Sequence, residues 1–160
     1  MKGIMQTVLV AVSGSSSSLS AAKYGIVMAK MHKCKLVAVY VVDTATLKEL
    51  LLSKIFVEDE SVEYEKSLES NGQRYLNYIE ELARKKGVQV EKALRKGSIS
   101  TEIVEAAQET EADIVLVGGF EDKGILHDAI SRQQRDILKN AECSVLVVKQ
   151  PDIDSIYQKI

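Results

Sequence analysis

The sequence contains little of what metal, redox and base-stacking sites are made from. Its two cysteines, Cys34 and Cys143, have neither a C-x-x-C partner nor the spacing of a zinc site, so a metal centre or a catalytic dithiol is not expected. Tryptophan is absent and aromatic residues make up only 5% of the chain, which leaves few platforms for stacking nucleic-acid bases. We interpret the cysteines as reduced, structural thiols and expect any ligand to be held by backbone and polar groups.

A surplus of positive charge and long apolar segments are also missing. The chain has 21 Lys and Arg against 23 Asp and Glu, a net charge of -2, so no DNA or RNA partner is expected. The longest apolar runs, such as residues 36–42, are far shorter than the roughly 18 residues that indicate a membrane-spanning helix. The start of the sequence lacks a cleavable secretory pattern. We therefore expect no membrane insertion and a cytoplasmic location.

What the sequence does contain is an alternation of strand-like and helix-like segments. Strands are predicted near residues 7–12, 35–42, 88–94, 114–118 and 144–148, and helices near 18–32, 62–86 and 100–110. Segment 43–61 is predicted to be an irregular helical crossover that either covers a ligand site or only connects its neighbours. Continuous Val, Ile and Leu runs are typical of strands buried on both faces, and strands alternating with helices require parallel pairing. The prediction is one domain with an α/β fold, a three-layer sandwich.

Two of the aliphatic segments run directly into glycine turns. The first turn reads Ser13-Gly14-Ser15 and continues into a run of serines up to residue 18, and the second begins at Gly118. A glycine turn that leads into a helix presents backbone N–H groups to anions, so a phosphate cradle is the first hypothesis. The serines are compatible with a helix cap, with part of a cradle and with phosphorylation, and the first of these excludes neither of the others.

The order of these elements, the turn after the first strand, ADIVLVGG at 112–119 and AECSVLVVK at 141–149 together resemble the universal stress protein family. The resemblance spans residues 6–149. It implies a Rossmann-like sandwich of the adenine nucleotide alpha hydrolase type, with five parallel strands in the order 3-2-1-4-5. It also implies a universal stress protein-like domain at 1–149, followed by a C-terminal extension at 150–160. In that strand order both glycine turns meet at a topological switch point, the usual place for a ligand.

Nucleotide-binding members of the family have an acidic residue at the end of the first strand and a later G-x-x-G-x9-G-[ST] motif around the phosphates. The corresponding pocket residues here are Ser13, Gly14, Ser15, Val41, Gly118, Glu121, Ser131 and Arg132. Ser13 stands where the acidic residue would be, and Val41 is where the family makes a backbone contact. Glu121 and Ser131 replace glycines, and Arg132 replaces the hydroxyl residue. Gly118 alone matches the later motif, so the resemblance implies a degenerate nucleotide site.

Glu121 is the replacement with the largest expected effect. A carboxylate about 4 Å from a phosphate costs up to about 4 kcal/mol at an effective dielectric of 20, whereas one lost neutral hydrogen bond costs about 1 kcal/mol. Arg132 leaves three alternatives: an ion pair with Glu121 that closes the pocket, a rewired anion site, or simple exposure to solvent. We therefore expect no cofactor, with ATP or AMP at a rewired phosphate site as the alternative.

The last predicted strand lies at an edge of the sheet in the implied strand order. Its aliphatic residues are Val145, Leu146, Val147 and Val148. Unpaired backbone groups at such an edge invite a second strand, so we expect a homodimer that pairs through this strand, an arrangement that the family's dimers resemble. The apolar residues of the extension, Ile153, Ile156, Tyr157 and Ile160, are expected to pack on the partner subunit.

These observations predict a dimeric stress-response module without enzymatic activity that acts through an unknown protein partner. The alternative is a switch that binds ATP or AMP between the two glycine turns. Phosphate hydrolysis or transfer is disfavoured, because the sequence has no Walker lysine motif and no credible pair of metal-binding carboxylates. A serine hydrolase is disfavoured because the first turn lacks G-x-S-x-G.

Overall fold

The structure is a computed structural model that describes residues 4–119 and 127–160, and for 127–131 it describes the backbone alone. Its strands are β1 (Thr7–Val12), β2 (Lys35–Asp43), β3 (Val90–Gly97), β4 (Ile114–Gly118) and β5 (Ser144–Val148). Its helices are α1 (Ser16–His32), α2 (Thr44–Leu52), α3 (Glu58–Arg84), α4 (Ile99–Glu109), α5 (His127–Asn140) and α6 (Ile153–Lys159).

The five strands form one parallel sheet in the order β3-β2-β1-β4-β5, which confirms the predicted fold class and strand order. Strands β1 and β4 are neighbours, with Val8 opposite Ile114 and Val10 opposite Leu116. The chain runs from β1 to β2 on one side of this central pair and from β4 to β5 on the other side. The carboxyl ends of these two strands therefore open on the same edge of the sheet, where the sequence places both glycine turns.

Helices cover both faces of the sheet and divide the core in two. On one face, alternate residues such as Val8 and Val10 pack in a cluster with the inward sides of α1, α3 and α6. On the other face, Leu9 and its neighbours pack against α4 and α5 through Ile103 and Ile137. Because both faces are covered, β1 and β4 need apolar residues at consecutive positions, and this is why they read as continuous aliphatic runs.

Several elements differ from their predicted bounds, and the starts of two of them have identifiable reasons. Strand β3 begins at Val90, not residue 88, because the Val88 N–H still bonds the Ala83 carbonyl at 2.9 Å and so belongs to the turn that ends α3. Helix α3 begins at Glu58, four residues before its predicted start at 62. Its first turn contains Glu58, Asp59 and Glu60, and negative charge near a helix N-terminus is stabilised by the helix dipole.

The C-terminal segment packs on its own chain, which corrects the expectation that its apolar residues pack on a partner subunit. Helix α6 lies against α1, with Ile153 and Tyr157 buried and with Ile156 and Ile160 partly buried against the same core. The Tyr157 hydroxyl donates to the carbonyl of Leu82 in α3 at 2.7 Å. These contacts belong to the fold of the single chain.

The two cysteines are free and half-buried. Burial raises the pKa of both the Cys34 and the Cys143 thiol, which lowers the fraction of reactive thiolate at neutral pH. This behaviour fits structural thiols. Within residues 4–119 and 127–160, no helix combines the length and the apolar character that crossing a membrane requires.

Candidate functional site

A crevice of about 340 Å³ opens at the carboxyl ends of β1, β2 and β4. The N-termini of α1 and α4 border it, α5 forms one side, and the first turn of α2 contributes Thr46. Most of the lining is apolar and includes Val12, Val41, Leu68, Ile103, Val117 and Ile137. The crevice lies at the predicted switch point, where parallel α/β sheets usually bind ligands.

The structure brings together four of the predicted pocket residues, because Ser13, Ser15, Val41 and Gly118 all line the crevice. Gly14 lines a neighbouring cavity of about 270 Å³, between the serine turn and Tyr75 of α3.

The remaining predicted pocket residues are Glu121, Ser131 and Arg132. Glu121 lies outside the described residues, and so does the side chain of Ser131. Arg132 is exposed on α5 and is not one of the residues that line the crevice. The proposed ion pair between Glu121 and Arg132 therefore stays a prediction.

Serine side chains occupy the backbone donors of the first turn. The N–H of Ser13 donates to the Ser18 hydroxyl at 2.7 Å, and the N–H of Ser15 donates to the Ser13 hydroxyl at 3.3 Å. The N–H of Ser18, in the first turn of α1, donates to the Ser15 hydroxyl at 3.2 Å, which makes Ser15 the N-cap of the helix. The helix-cap interpretation is confirmed. Three N–H groups of this turn are thus already hydrogen-bonded within it and are not offered to a phosphate.

Gly118 has a packing role at the end of β4. A Cβ atom at this position would lie 2.7 Å from the carbonyl carbon of Ser17 and 2.8 Å from its carbonyl oxygen. Any side chain would therefore collide with the backbone of α1, where that helix begins. The carbonyl of Gly118 also accepts a hydrogen bond of 2.6 Å from Nε2 of Gln134. The single match to the phosphate motif is explained by close packing in this chain.

Two glutamines of α5 are part of the site, and the sequence analysis did not identify them. Oε1 of Gln133 accepts from the N–H of Ser100 at 2.9 Å and so satisfies a donor in the first turn of α4. Gln134 is buried; its Nε2 binds the Gly118 carbonyl, and its Oε1 has no hydrogen-bond partner in the described part of the chain. A signal was available, since a glutamine three residues before buried Ile137 lies on the inward face of α5.

The charge in the crevice is negative. Among the described lining residues, Asp43 alone is charged, and it caps α2 by accepting from the N–H of Thr46 at 3.0 Å and from its hydroxyl at 2.7 Å. Tyr40 lies on another part of the wall, and burial raises the pKa of its phenol, with a smaller contribution from Tyr75. The phenol is therefore neutral at physiological pH. Within the described ranges, no group of three or more His, Cys, Asp or Glu is arranged to hold a metal ion.

The sequence itself assigns the family. Residues 5–149 match the Universal stress protein family. The chain belongs to this family. Universal stress protein MJ0531 of Methanocaldococcus jannaschii is 29% identical to it over 157 residues, which cover 94% of this chain and 85% of that protein.

Solved structures of the family share the fold. UspA of Lactobacillus plantarum has a TM-score of 0.73 at 18% identity, covering 92% of this universal stress protein and 100% of that chain. A family member from Arabidopsis thaliana, solved with AMP bound, has a TM-score of 0.65 at 18% identity. The match covers 92% of this chain and 94% of the Arabidopsis chain. At such identities the likeness concerns the fold and not the ligand.

Proposed function

We propose that this universal stress protein is a dimeric, cytoplasmic stress-response module that acts through a protein partner and does not bind ATP through the phosphate motif of the family. At the phosphate motif of the family the support comes from the sequence, in which Gly118 alone matches. At the other glycine turn the observation that carries the proposal is the hydrogen bonding of the serines, because Ser13, Ser15 and Ser18 satisfy one another's N–H groups. A phosphate has to break these hydrogen bonds before it gains its own, so much of the usual gain is lost.

Two further features of the crevice oppose a polyanion. Asp43 puts a carboxylate on the wall of the crevice, and a carboxylate within about 6 Å of a phosphate costs up to about 3 kcal/mol at an effective dielectric of 20, less where solvent screens the pair. Gln134 directs an N–H of Nε2 to the carbonyl of Gly118, so this donor is not offered to a phosphate that lies between the two turns. Glu121 adds to this argument from the sequence alone, as a carboxylate in place of a motif glycine.

Calorimetric titration with ATP and with AMP tests the loss of the phosphate site. We expect no dissociation constant tighter than about 100 μM, which corresponds to about 5.5 kcal/mol of binding free energy. The AMP-bound Arabidopsis relative is a suitable positive control under the same conditions. Micromolar affinity for ATP would overturn the proposal.

The second candidate function is an adenine-nucleotide switch. It is supported by the crevice of about 340 Å³ at the switch point and by the relative solved with AMP. In that case ATP or AMP lies between the two turns, with backbone groups of Gly14, Ser15, Gly118 and Ser131 at its phosphates. Micromolar binding in the same titration is the result that would favour this switch.

The dimer is supported by the position of β5. This strand pairs with β4 on one side, and no other strand pairs with it among the described residues. Val145, Leu146 and Val147 are half-buried in the single chain, so an antiparallel partner strand would cover more aliphatic surface while it pairs the open backbone groups.

Light scattering at micromolar protein should therefore give twice the chain mass of 17.7 kDa. Ser144→Lys adds a charge at the exposed start of β5 and should shift the population towards monomer. Thr101→Lys adds the same charge on an exposed position of α4 and should leave the dimer intact. A monomer that persists at high concentration of the unmodified protein would contradict pairing through β5.

A further inference from the structure

We propose that the junction of α2 and α3 is the docking surface for a partner segment that combines apolar side chains with Lys or Arg. The surface consists of Leu52, Ile55, Phe56, Val57 and Tyr64, and its acidic rim is Glu58, Asp59 and Glu60. This inference rests on the proposed action through a protein partner and specifies the chemistry of that partner. The crevice and its ligands play no part in it.

The apolar side chains of the junction are unusually exposed. Leu52, Ile55 and Val57 are 76%, 66% and 60% exposed, within six consecutive residues. Scattered exposed leucines are normal on any protein surface, but several large aliphatic side chains together are typical of an interaction site.

The junction is an ordered turn that points these side chains outward. The N–H of Ile55 bonds the carbonyl of Leu50 at 3.0 Å, and the N–H of Lys54 bonds the carbonyl of Leu51 at 3.1 Å. This is the Schellman motif that ends a helix, with Lys54 at a left-handed φ of 59° in the place where glycine is usual. In such motifs the residue at the position of Ile55 normally packs back on the helix. Here most of its side chain faces solvent, although the backbone around it is fixed.

The second side of the surface comes from α3. The ring of Tyr64 contacts the ring of Phe56 with centroids 5.6 Å apart, so the turn and the first helical turns of α3 form one surface. Next to it, Glu58, Asp59 and Glu60 are all exposed. The helix dipole gives these acidic residues a structural reason to be at the N-terminus of α3, but it gives no reason for exposed leucine, isoleucine and valine beside them.

The charge of the junction selects the occupant, because residues 52–60 contain Glu58, Asp59 and Glu60 against Lys54 alone, a net charge of -2. A second copy of this chain docked symmetrically on the same surface would place two sets of Glu58, Asp59 and Glu60 against each other, and like charges across an interface are unfavourable. A segment with basic residues flanking apolar ones gains from both features. The partner is therefore a different chain, and its binding should weaken as salt concentration rises.

The test uses two synthetic amphipathic helical peptides as probes, one of leucine and lysine and one of leucine and glutamate in the same order. Binding is followed by fluorescence anisotropy of the labelled peptide at two salt concentrations. The lysine peptide should bind the full-length protein, and the glutamate peptide should bind at least tenfold more weakly.

The matched variants separate this surface from the rest of the molecule. Leu52→Ser/Ile55→Ser should weaken the lysine peptide about tenfold. Ile4→Ser/Met31→Ser, which removes two exposed apolar side chains elsewhere, should leave its affinity unchanged. Unchanged circular dichroism and Tm show that both variants are folded.

Equal binding of the two peptides, or equal affinity of the two variants, would overturn the proposed surface. So would a lower oligomeric mass of Leu52→Ser/Ile55→Ser, since that result would assign the junction to self-association. None of these results bears on the titration with ATP and AMP, so the loss of the phosphate site is tested separately.

Discussion

Replacing Tyr157 by alanine is expected to lower the free energy of unfolding by about 3 to 5 kcal/mol, the usual cost of truncating a buried aromatic residue. Tyr157 is 9% exposed and lies in the core cluster with α1 and α3. Nζ of Lys86 lies 4.7 Å from the centre of its ring. Because whole domains are stable by only about 5 to 15 kcal/mol, this variant should unfold at a markedly lower denaturant concentration.

The hydroxyl of Tyr157 accounts for a separable part of that effect. It donates to the carbonyl of Leu82, which is one of the last four carbonyls of α3 and has no continuing helical turn to bond it. Tyr157→Phe keeps the ring but leaves this buried carbonyl without its donor, so a loss of about 1 to 3 kcal/mol is expected. Denaturant titration at one fixed protein concentration measures both variants, because the proposed dimerisation would also contribute to apparent stability.

Tyr78→Ala is the matched control for this prediction. Tyr78 lies on α3 and is 49% exposed, so its truncation should cost less than about 1 kcal/mol. Equal losses in Tyr78→Ala and Tyr157→Ala would mean that α6 contributes nothing to the core. The apolar residues after residue 149 would then be available to a partner subunit, as the sequence predicted.

The sequence predicted the parts of the fold that are determined by local pattern. The bounds of β1, β4 and β5 agree with the predictions, because each is a short aliphatic run that ends at a serine-glycine turn, a glycine or a charged residue. Strand β3 was placed less well. It lies at a sheet edge and carries charged residues at Glu91, Lys92, Arg95 and Lys96, so no apolar run marks where it ends.

The sequence could not supply the contacts that depend on packing between distant segments. From the sequence alone, Ile153 and Tyr157 could pack on a partner subunit or on the chain's own α1. The three-dimensional structure shows that they pack on α1. The serine turn gave a signal that was compatible with both a cap and a cradle. Its hydrogen bonds show the cap, because they identify which hydroxyl accepts from which N–H.

Gly118→Ala is expected to destabilise the protein by about 3 kcal/mol, at the upper end of the usual cost of overpacking. The added Cβ would lie 2.7 Å from the backbone of Ser17, and a helix backbone cannot turn away as the end of a flexible side chain can. To relieve the contact, the N-terminus of α1 has to move away from β4. That movement also disturbs the cap at Ser15 and the hydrogen bond from Gln134 to the Gly118 carbonyl.

Gly25→Ala separates this effect from a general intolerance of alanine for glycine. A Cβ at Gly25 would meet only the Cδ1 atoms of Leu36 and Leu116, at 3.1 and 3.2 Å, and those side chains can shift by a few tenths of an ångström. Alanine in a helix interior also gains about 0.5 to 1 kcal/mol over glycine, so this variant should remain within about 1 kcal/mol of wild type. If Gly118→Ala proved equally harmless, packing would no longer explain the glycine. A ligand that approaches the backbone at the end of β4 would then be the better reason for it.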